Sequence, residues 1–311
     1  MRNGDVTGRF RTGTAFHVDA GAAAGIRPDP GDTVTPRSGQ PEGNLGRQHP
    51  ADRALSPYDR LAPEFDRQRP VPEDAAQAAR AAILAELPPG ARILDAGAGS
   101  GGIGWPFVAG GDDYHAIDLS VGMLRMFTSR TETTWRCLAQ ADAAHPPFAD
   151  ATFDAVLLMR VLSGAANWSA ILDAARRLLR PDGVLFLGRA VTLEDGLNAC
   201  LKQQLEEYLA ARGAFPYRQH ARENALTWLD SVGHRTTRTV AQWQVRRTPR
   251  QFIERHGAGV RFQRLDPDLR TAALRSLVNW VESRFGSIDA EFDETQYFEF
   301  HTIRFTPEAS S

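Results

Sequence analysis

The sequence predicts an α/β protein in which a mostly parallel, Rossmann-like sheet is covered by helices on both faces. Three observations support this fold class. Short apolar runs typical of buried strands alternate with helix-forming segments over residues 89–190. Three of these runs end in an aspartate, and a glycine-rich turn follows the first of them. A nearly continuous apolar run over 153–159 is typical of a central parallel strand, which is buried on both faces.

The first elements of this pattern are helices. Residues 55–87 are predicted to be helical, because the stretch 75–84 consists mainly of strong helix formers. The sequence Pro88-Pro89-Gly90 ends this segment. The first predicted strand follows directly, and it leads into the glycine-rich turn.

That turn is the most informative motif of the chain. The run ILDAGAGSGG, residues 93–102, is a strand that ends at Asp95 and continues as a glycine turn. Glycine lets the backbone turn sharply and approach a ligand closely, as in nucleotide sites at the carboxyl edge of a sheet. Three of the glycines also fit the dinucleotide pattern G-x-G-x-x-G, with Asp118 about twenty residues further on. The Asp95 carboxylate repels a pyrophosphate but suits a cationic ligand such as S-adenosylmethionine.

The next two strands also end in acids. The strand 114–118 ends at Asp118, which is placed to accept hydrogen bonds from ribose hydroxyls. Ser120 is expected to cap a helix over 121–130. The strand 137–142 begins with Cys137, which we expect to be buried, and ends at Asp142, a candidate acceptor for an adenine amino group.

The following segments complete a recognisable set of motifs. The helix Trp168–Arg180 is expected to stop at Pro181-Asp182-Gly183, and a strand over 184–188 follows. Four segments within about residues 89–190 together resemble a class I S-adenosylmethionine-dependent methyltransferase. They are LDAGAGSGG, AIDLS, the QAD that precedes PFADATFDAV, and LLRPDGVLFLG. The segment YDRLAPEFD resembles the entry helix of the ubiquinone/menaquinone-biosynthesis-like small-molecule branch, with Phe65 where that branch has Tyr.

This resemblance implies a seven-stranded sheet with an antiparallel last strand, methyl transfer to a small, partly apolar acceptor, and catalysis mainly by positioning. It implies one methyltransferase domain over 51–305, with N-terminal helices over 51–88 and a cofactor-binding half over 89–190. A lid and acceptor-side elements would occupy 191–290, the last strand 291–305, and a flexible tail 306–311. The residues expected to bind the cofactor are Tyr58, Asp95, Ala96, Gly97, Gly99, Gly101, Asp118, Leu119, Met123, Asp142, Ala143 and Met159.

The region after the fifth strand holds more helix than the resemblance requires. Helices are predicted over 193–212, 223–232, 249–255 and 268–284, and strands over 236–246 and 297–305. The additional helices are expected to form a lid over the acceptor site. Four aromatic residues are candidates for lining an apolar pocket, although core packing is the stronger explanation for each: Trp168, Phe215, Trp243 and Trp280.

Two residues are weak candidates for a catalytic role. His145 follows Asp142 at the expected cofactor rim, and Arg160 follows the fourth strand, facing the expected acceptor pocket. No metal site is predicted. A methyl group on a sulfonium is already activated, so a general base is needed only where the acceptor must lose a proton early.

Composition excludes several classes of partner. The formal net charge of −2 provides no basic surface for nucleic acid. The chain has no apolar run long enough for a membrane span and no charged-then-apolar leader, so we expect a cytoplasmic protein. Residues 1–50 are poor in large apolar side chains and are predicted to be disordered. Two alternatives remain, namely a non-catalytic S-adenosylmethionine-binding or scaffold protein and a nicotinamide-dependent oxidoreductase.

Overall fold

A computed structural model describes residues 57–131, 137–162, 167–192, 196–214, 221–259 and 262–306. The segment 1–50, predicted to be disordered, lies outside these ranges, as do Phe215 and most of the predicted tail. The described residues include a single mixed sheet of seven strands. In chain order the strands are β1 (Ile93–Ala96), β2 (Tyr114–Asp118), β3 (Leu138–Gln140), β4 (Phe153–Met159), β5 (Leu179–Thr192), β6 (Gly233–Arg247) and β7 (Phe292–Phe305).

The strand order is β3-β2-β1-β4-β5-β7-β6. Strands β1 to β5 pair in parallel, and β7 runs antiparallel to both β5 and β6. The predicted fold class, a mostly parallel sheet with an antiparallel last strand, is therefore confirmed. Parallel pairing brings the carboxyl ends of β1, β2, β3 and β4 to the same edge of the sheet, where the ligand sites of such folds lie.

Helices cover both faces of the sheet. They are α1 (Pro57–Gln68), α2 (Glu73–Leu84), α3 (Trp105–Ala109), α4 (Val121–Arg130), α5 (Trp168–Leu178), α6 (Leu197–Ala210), α7 (Ala221–Val232), α8 (Pro249–Gly257) and α9 (Pro267–Phe285), with a short 3-10 helix at Phe262–Arg264. As predicted, Ser120 caps α4, since its hydroxyl accepts a hydrogen bond from the Met123 amide at 3.1 Å. In the described part of the chain no helix combines the length and the hydropathy that crossing a membrane requires.

Side chains along the central strands point alternately to the two faces of the sheet, and this divides the interior into two cores. Leu94, Val156 and Leu185 face the side covered by α5 and α7. Ile93 and Leu157 face the opposite side, where α2 and α3 pack. Both sets of side chains are fully buried, as expected for parallel strands with helices on each face. The sheet is thereby held rigidly enough to position the loops at its carboxyl edge.

A third core lies away from the central strands. It joins α6, α8 and α9 through buried apolar side chains, among them Leu201, Leu205, Phe252, Leu277 and Val281. These helices belong to the region after the fifth strand, which holds more helix than the family resemblance requires. Because they share a core of their own, they form a packed unit rather than separate loop insertions.

The predicted boundary between α5 and β5 was wrong. The helix was expected to reach Arg180, but it ends at Leu178, and β5 begins at Leu179. Leu179 is extended, with φ −71° and ψ 138°, and it pairs with Phe153 of β4. Arg180 precedes Pro181, and the residue before a proline is disfavoured in helical conformation, so the helix cannot continue to the proline itself.

The prediction that Cys137 is buried was also wrong. Cys137 is exposed and lies immediately before β3, which begins at Leu138. The sheet order makes β3 an edge strand, and its residues are only partly buried or exposed. The apolar pattern of this segment resembles that of an inner strand, but its position in the sheet could not be read from the pattern.

We predict that a thiol reagent modifies Cys137 in the folded protein. Burial and the charge of Asp113 raise the pKa of the Cys137 thiol, so the reaction is best followed at alkaline pH. The reaction should show a fast phase from Cys137 in the folded protein, and Cys137→Ser should remove that phase. The substitution should change the free energy of unfolding by less than about 0.5 kcal/mol, as for other surface positions. Cys200→Ser, on α6, is the matched control that should keep that phase. Labelling of Cys137 only upon unfolding would contradict the exposed position.

Candidate functional site

A cavity of about 370 Å³ opens at the carboxyl edge of the sheet. The turn after β1, the ends of β2 and β4, the segment after β3 and helix α1 contribute to its walls. Three aspartates line it at the ends of successive strands: Asp95, Asp118 and Asp142. The parallel register explains their proximity, since Asp95 pairs with Ala116 of β2 and Asp118 pairs with Gln140 of β3.

The glycine turn has a backbone that other residues adopt only with strain. Gly97, Gly99 and Gly101 have φ values of 90°, 59° and 76°. A Cβ on Gly97 would lie 2.5 Å from Val161 Cγ2, and one on Gly101 would lie 2.2 Å from the Phe127 ring. Gly99 lines the cavity, and a Cβ there would meet no protein atom within 4 Å. Packing therefore explains the first and third glycines, and the open space at Gly99 is available to a ligand.

Asp118 connects this turn to the start of α4. Its Oδ2 accepts a hydrogen bond from the Gly99 amide, and its Oδ1 accepts one from the Ser120 amide, both at 2.8 Å. Burial raises the pKa of the Asp118 carboxyl, and these backbone donors counteract part of that shift. A carboxylate has lone pairs for about four hydrogen bonds, so Asp118 retains acceptor capacity for a ligand in the cavity.

Asp95 is a buried acid with an unsatisfied oxygen. Its residue surface is 1% exposed, its Oδ2 accepts a hydrogen bond from the Tyr114 hydroxyl at 2.5 Å, and its Oδ1 has no hydrogen-bond partner among the described residues. Burial raises the pKa of Asp95 to about 7, and the Asp118 charge adds to that shift. A buried acceptor without a donor is costly, so this oxygen is suited to a cationic or hydrogen-bond-donating group of a ligand.

Helix α1 covers one side of the cavity, to which it is attached through two aspartates. Asp59 Oδ1 accepts hydrogen bonds from the Ser120 hydroxyl at 2.6 Å and from the Gly122 amide at 2.7 Å. Asp66 accepts from the Ser100 hydroxyl and forms an ion pair with Arg130. The helix is therefore attached to both the glycine turn and the start of α4. This arrangement places Tyr58 and Phe65 in the cavity wall.

Ten of the twelve residues predicted to bind the cofactor line this cavity. These are Tyr58, Asp95, Gly97, Gly99, Asp118, Leu119, Met123, Asp142, Ala143 and Met159. Ala96 and Gly101, which were also predicted to bind the cofactor, do not line the cavity. Ala96 is 3% exposed and packs into the core on the α5 side, whereas Gly101 is required by its contact with Phe127. Gly102 lines the cavity instead.

The structure separates the two weak catalytic candidates. Asp142 accepts hydrogen bonds from the Ala144 amide at 2.9 Å and interacts with His145 Nδ1 at 3.1 Å. The His145 side chain is 72% exposed and is not part of the cavity lining. Arg160 does line the cavity. Of the two candidates, only Arg160 is thus placed to contact a ligand there.

The aromatic candidates in the described residues do not line the cavity. Trp168 packs against the core on the α5 side, Trp243 against the opposite core, and Trp280 against the core of α6, α8 and α9. Core packing, which was the stronger explanation for each, accounts for all three. The predicted role of Phe215 concerns a residue outside the described ranges.

The sequence interpretation missed a group of polar residues on the other side of the cavity. These residues are Arg69, Arg189, Asn198, Arg247, Arg255 and Gln296. Arg189 and Arg247 lie near the ends of strands, so the rule that ligand sites lie at strand ends could have identified them. Arg255 and Asn198 lie on α8 and α6, and no sequence signal indicates that these helices reach the sheet edge.

Comparison with known proteins identifies the central segment. Residues 94–187 match the methyltransferase domain family. The chain is 32% identical over 135 residues to demethylmenaquinone methyltransferase of Tropheryma whipplei strain Twist, covering 41% of this chain and 55% of that protein. It is 32% identical over 152 residues to ubiquinone biosynthesis O-methyltransferase of Xylella fastidiosa, covering 46% and 61%. The matched part thus spans less than two thirds of the length of either relative.

A solved structure supports the fold. A candidate type II methyltransferase from Anaeromyxobacter dehalogenans superposes with a TM-score of 0.50 at 17% sequence identity. The superposition covers 75% of this chain and 97% of that protein. At this level of identity the likeness concerns the arrangement of strands and helices alone.

We predict that Asp95 makes stability depend on pH in the ligand-free protein. Folding raises the Asp95 pKa from about 4 to about 7, so its stabilising contribution is complete below about pH 4 and decreases as pH rises through 7. Asp95→Asn keeps an acceptor for Tyr114 but cannot ionise. Relative to the parent protein, the variant should therefore gain about 2–4 kcal/mol in unfolding free energy between pH 4 and pH 8. Denaturant unfolding at each pH measures this difference, and equal pH profiles for both proteins would contradict the assignment.

Proposed function

We propose that this chain, whose residues 94–187 form a class I methyltransferase domain, transfers a methyl group from S-adenosylmethionine to a small, partly apolar acceptor. The predicted resemblance to that class, and to its ubiquinone/menaquinone-biosynthesis-like branch, is confirmed by the family match and the two named relatives. The activity of the whole protein is our proposal. The observation that carries it is the unsatisfied, buried Oδ1 of Asp95 beside the glycine turn.

The acidic side of the cavity, formed around Asp95, Asp118 and Asp142, fits this donor. Asp118 is buried at the end of β2 and is assigned to the ribose hydroxyls, and Asp142 is assigned to the adenine amino group. Asp95 is assigned to the cationic end, because an ionised carboxylate there is stabilised by a positive partner. Gly99 leaves space for close approach along the turn. When bound, S-adenosylmethionine supplies a methyl group on a sulfonium sulfur, which is already activated for displacement.

The chain itself contributes positioning and the exclusion of water. Helix α1 closes one side of the cavity through Asp59 and Asp66, and Met159 and Val161 supply apolar wall. An enclosed, aligned arrangement accounts for catalysis by in-line displacement without an acid–base residue. Although burial lowers the pKa of Arg160 to about 10, its guanidinium remains protonated near neutral pH. Arg160 is therefore a group that binds and orients, and not a general base.

We assign the unit of α6, α8 and α9 to the acceptor side as a lid. Two of its helices reach the cavity, α6 through Asn198 and α8 through Arg255. The Arg255 Nη2 donates to Asn198 Oδ1 at 2.6 Å, which connects the two helices at the cavity wall. Lids that close over a displacement reaction exclude water, and their motion commonly limits turnover.

Two alternative functions lead to different measurements. A scaffold protein on this fold would bind the donor product, S-adenosylhomocysteine, but would transfer no methyl group to any acceptor. A nicotinamide-dependent oxidoreductase would bind NAD more tightly than S-adenosylhomocysteine, which the Asp95 carboxylate opposes. Calorimetry with both ligands separates the oxidoreductase from the other two functions. A screen of small acceptors with labelled donor, analysed by product mass, then separates an enzyme from a scaffold.

We predict that Gly99→Ala weakens binding of S-adenosylhomocysteine by tenfold or more. The new Cβ would occupy cavity space that the ligand needs, and alanine is strained at φ 59°. Gly90→Ala is the matched control, because Gly90 has φ 71°, has no neighbour within 4 Å of its Cβ position and lies outside the cavity lining. Both variants should lose about 1–2 kcal/mol of stability, but Gly90→Ala should keep the parent affinity in calorimetry. Equal affinities of the two folded variants would mean that this turn does not hold the donor.

We further predict that S-adenosylhomocysteine slows hydrogen exchange in α1 and α6. Ligand in the cavity should stabilise α1 through Tyr58 and Phe65, and α6 through the wall at Asn198. Exchange followed by mass spectrometry, with and without the ligand, measures the protection. Helix α7, which contributes no residue to the cavity lining and does not belong to the lid unit, is the internal reference. Protection confined to the glycine turn would remove the lid assignment.

A further inference from the structure

Five arginine side chains line the side of the cavity opposite the acidic strand ends. They are Arg69 after α1, Arg160 after β4, Arg189 on β5, Arg247 at the end of β6, and Arg255 on α8. Bringing like charges from five separate segments to one cavity opposes folding unless something compensates them. A solvated surface does not explain the arrangement, because Arg189 and Arg247 are only 6% and 8% exposed.

Arg247 has donor capacity that the described residues do not use. Its nearest carboxylate oxygen is Glu294 Oε2, at 3.5 Å from Nε, and the Nε atom is buried without a hydrogen bond. Glu294 instead accepts hydrogen bonds from the Asn198 amide at 3.2 Å and from Asn198 Nδ2 at 2.7 Å. Arg247 is therefore a nearly buried cation in the cavity wall whose hydrogen bonding is incomplete.

Arg160 is in a similar position. In the described part of the chain it forms no ion pair, and its hydrogen bond is a long one, 3.5 Å from Nη1 to the carbonyl oxygen of Arg69. Its backbone has φ 66°, which is uncommon for a residue other than glycine. Strained backbone of this kind often occurs where a side chain must be placed for function. Among the described residues the guanidinium thus has no ion-pair partner, although the more distant Asp66 carboxylate opposes the lowering of its pKa by burial.

The arginines also influence one another. Burial, together with the charges of Arg255, Arg160 and Arg247, lowers the pKa of Arg69 to about 9. The pKa of Arg247 is lowered by burial, with Glu294 opposing the shift. These shifts have the direction expected where several cations share a poorly solvated space, and an anion there would reverse them.

The other two arginines are held in place by defined partners. Arg189 donates from Nε and Nη2 to Glu299 Oε1, both at 3.2 Å, across the β5–β7 pair. Arg255 donates to Asn198. These contacts fix the two side chains in the wall and define a rigid basic surface around Arg160 and Arg247.

The donor alone does not account for this surface. S-adenosylmethionine carries one carboxylate, and a single guanidinium is sufficient to bind it in a bidentate manner. The glycine turn follows β1, whereas Arg247 lies on β6, which is the outermost strand beyond β4, β5 and β7. The basic surface therefore extends away from the donor side, toward the side assigned to the acceptor.

We infer that the methyl acceptor carries an oxyanion, a carboxylate or a phosphate, which Arg160 and Arg247 bind. This inference rests on the proposed function and defines its substrate class. Planar guanidinium groups match both oxyanions through paired hydrogen bonds. Apolar side chains complete the wall, namely Phe65, Val71, Val161 and Ile171. The acceptor is accordingly a small amphipathic acid, with an apolar body and one anionic end.

The test uses matched ligands on the full chain saturated with S-adenosylhomocysteine. Benzoate and phenyl phosphate supply the two oxyanions on one apolar ring, and benzamide is the neutral counterpart. Calorimetry or ligand-observed NMR should show at least one of the two anions binding tenfold or more tightly than benzamide. The preference between benzoate and phenyl phosphate then identifies which oxyanion the site takes.

Variants connect this preference to the guanidiniums. Arg247→Gln and Arg160→Gln should each weaken binding of the preferred anion tenfold or more, with S-adenosylhomocysteine affinity changed less than about threefold. Arg247→Lys should recover part of the anion affinity, because it restores the charge but not the paired geometry. Arg246→Gln is the matched control, since Arg246 is the preceding β6 residue, is 64% exposed and pairs with Asp293. It removes the same charge on the opposite face and should leave anion affinity unchanged.

Three outcomes would overturn the inference. The first is that benzamide binds as tightly as both anions, and the second is that folded Arg247→Gln and Arg160→Gln proteins keep full anion affinity. The third is that the variants lose S-adenosylhomocysteine affinity as strongly as anion affinity, which would assign the arginines to the donor carboxylate. If Arg247→Gln does not fold, Arg247→Lys and Arg160→Gln carry the comparison. A parent protein that prefers the anions but does not bind S-adenosylhomocysteine would instead contradict the proposed function.

Discussion

The carboxylate of Asp118 accepts hydrogen bonds from the amides of Gly99 and Ser120, and the geometry of the acidic side depends on this junction. The contact joins the end of β2 to the glycine turn of β1 and to the first turn of α4. Ser120 in turn donates to Asp59, which attaches α1 above the same point. A buried carboxylate is stable here only because several donors surround it. The need of the buried Asp118 carboxylate for hydrogen-bond donors therefore organises the glycine turn and also shapes a wall of the cavity.

The acidic and basic side chains of the cavity come mostly from different parts of the sheet, and Arg130, paired with Asp66 beside the glycine turn, is the exception. Asp95 lies in β1, Asp118 ends β2 and Asp142 follows β3, whereas most of the guanidiniums come from the region of β4, β5, β6 and α8, and that of Arg69 follows α1. The sheet order separates the two groups, since β1 and β2 lie on one side of β4 while β5, β7 and β6 lie on the other. On our proposal, such a cavity takes two ligands of different charge side by side, a cationic donor next to an anionic acceptor.

Much of the first half of the fold could be predicted from local patterns. The strand at Asp95, the cap at Ser120 and the buried strand 153–159 each depend on interactions within a few residues or on simple alternation. The errors have specific physical causes. Cys137 is exposed because it precedes an edge strand, and the α5 boundary shifted because Pro181 constrains the residue before it. Ala96 lies next to the glycine turn in sequence, but its side chain faces the core.

The sequence by itself determined the acidic side of the cavity, because acids and glycines at consecutive strand ends must meet at one edge of a parallel sheet. Only the tertiary structure decided the basic side of the cavity. Arg69, Arg160, Arg247 and Arg255 are separated by up to 186 positions and lie in elements of different type. Their proximity follows from the antiparallel placement of β7 between β5 and β6, and from the packing of α8 with α6 and α9. Such long-range packing leaves no periodic signal in the chain, so the basic character of the cavity emerges only when the fold is complete.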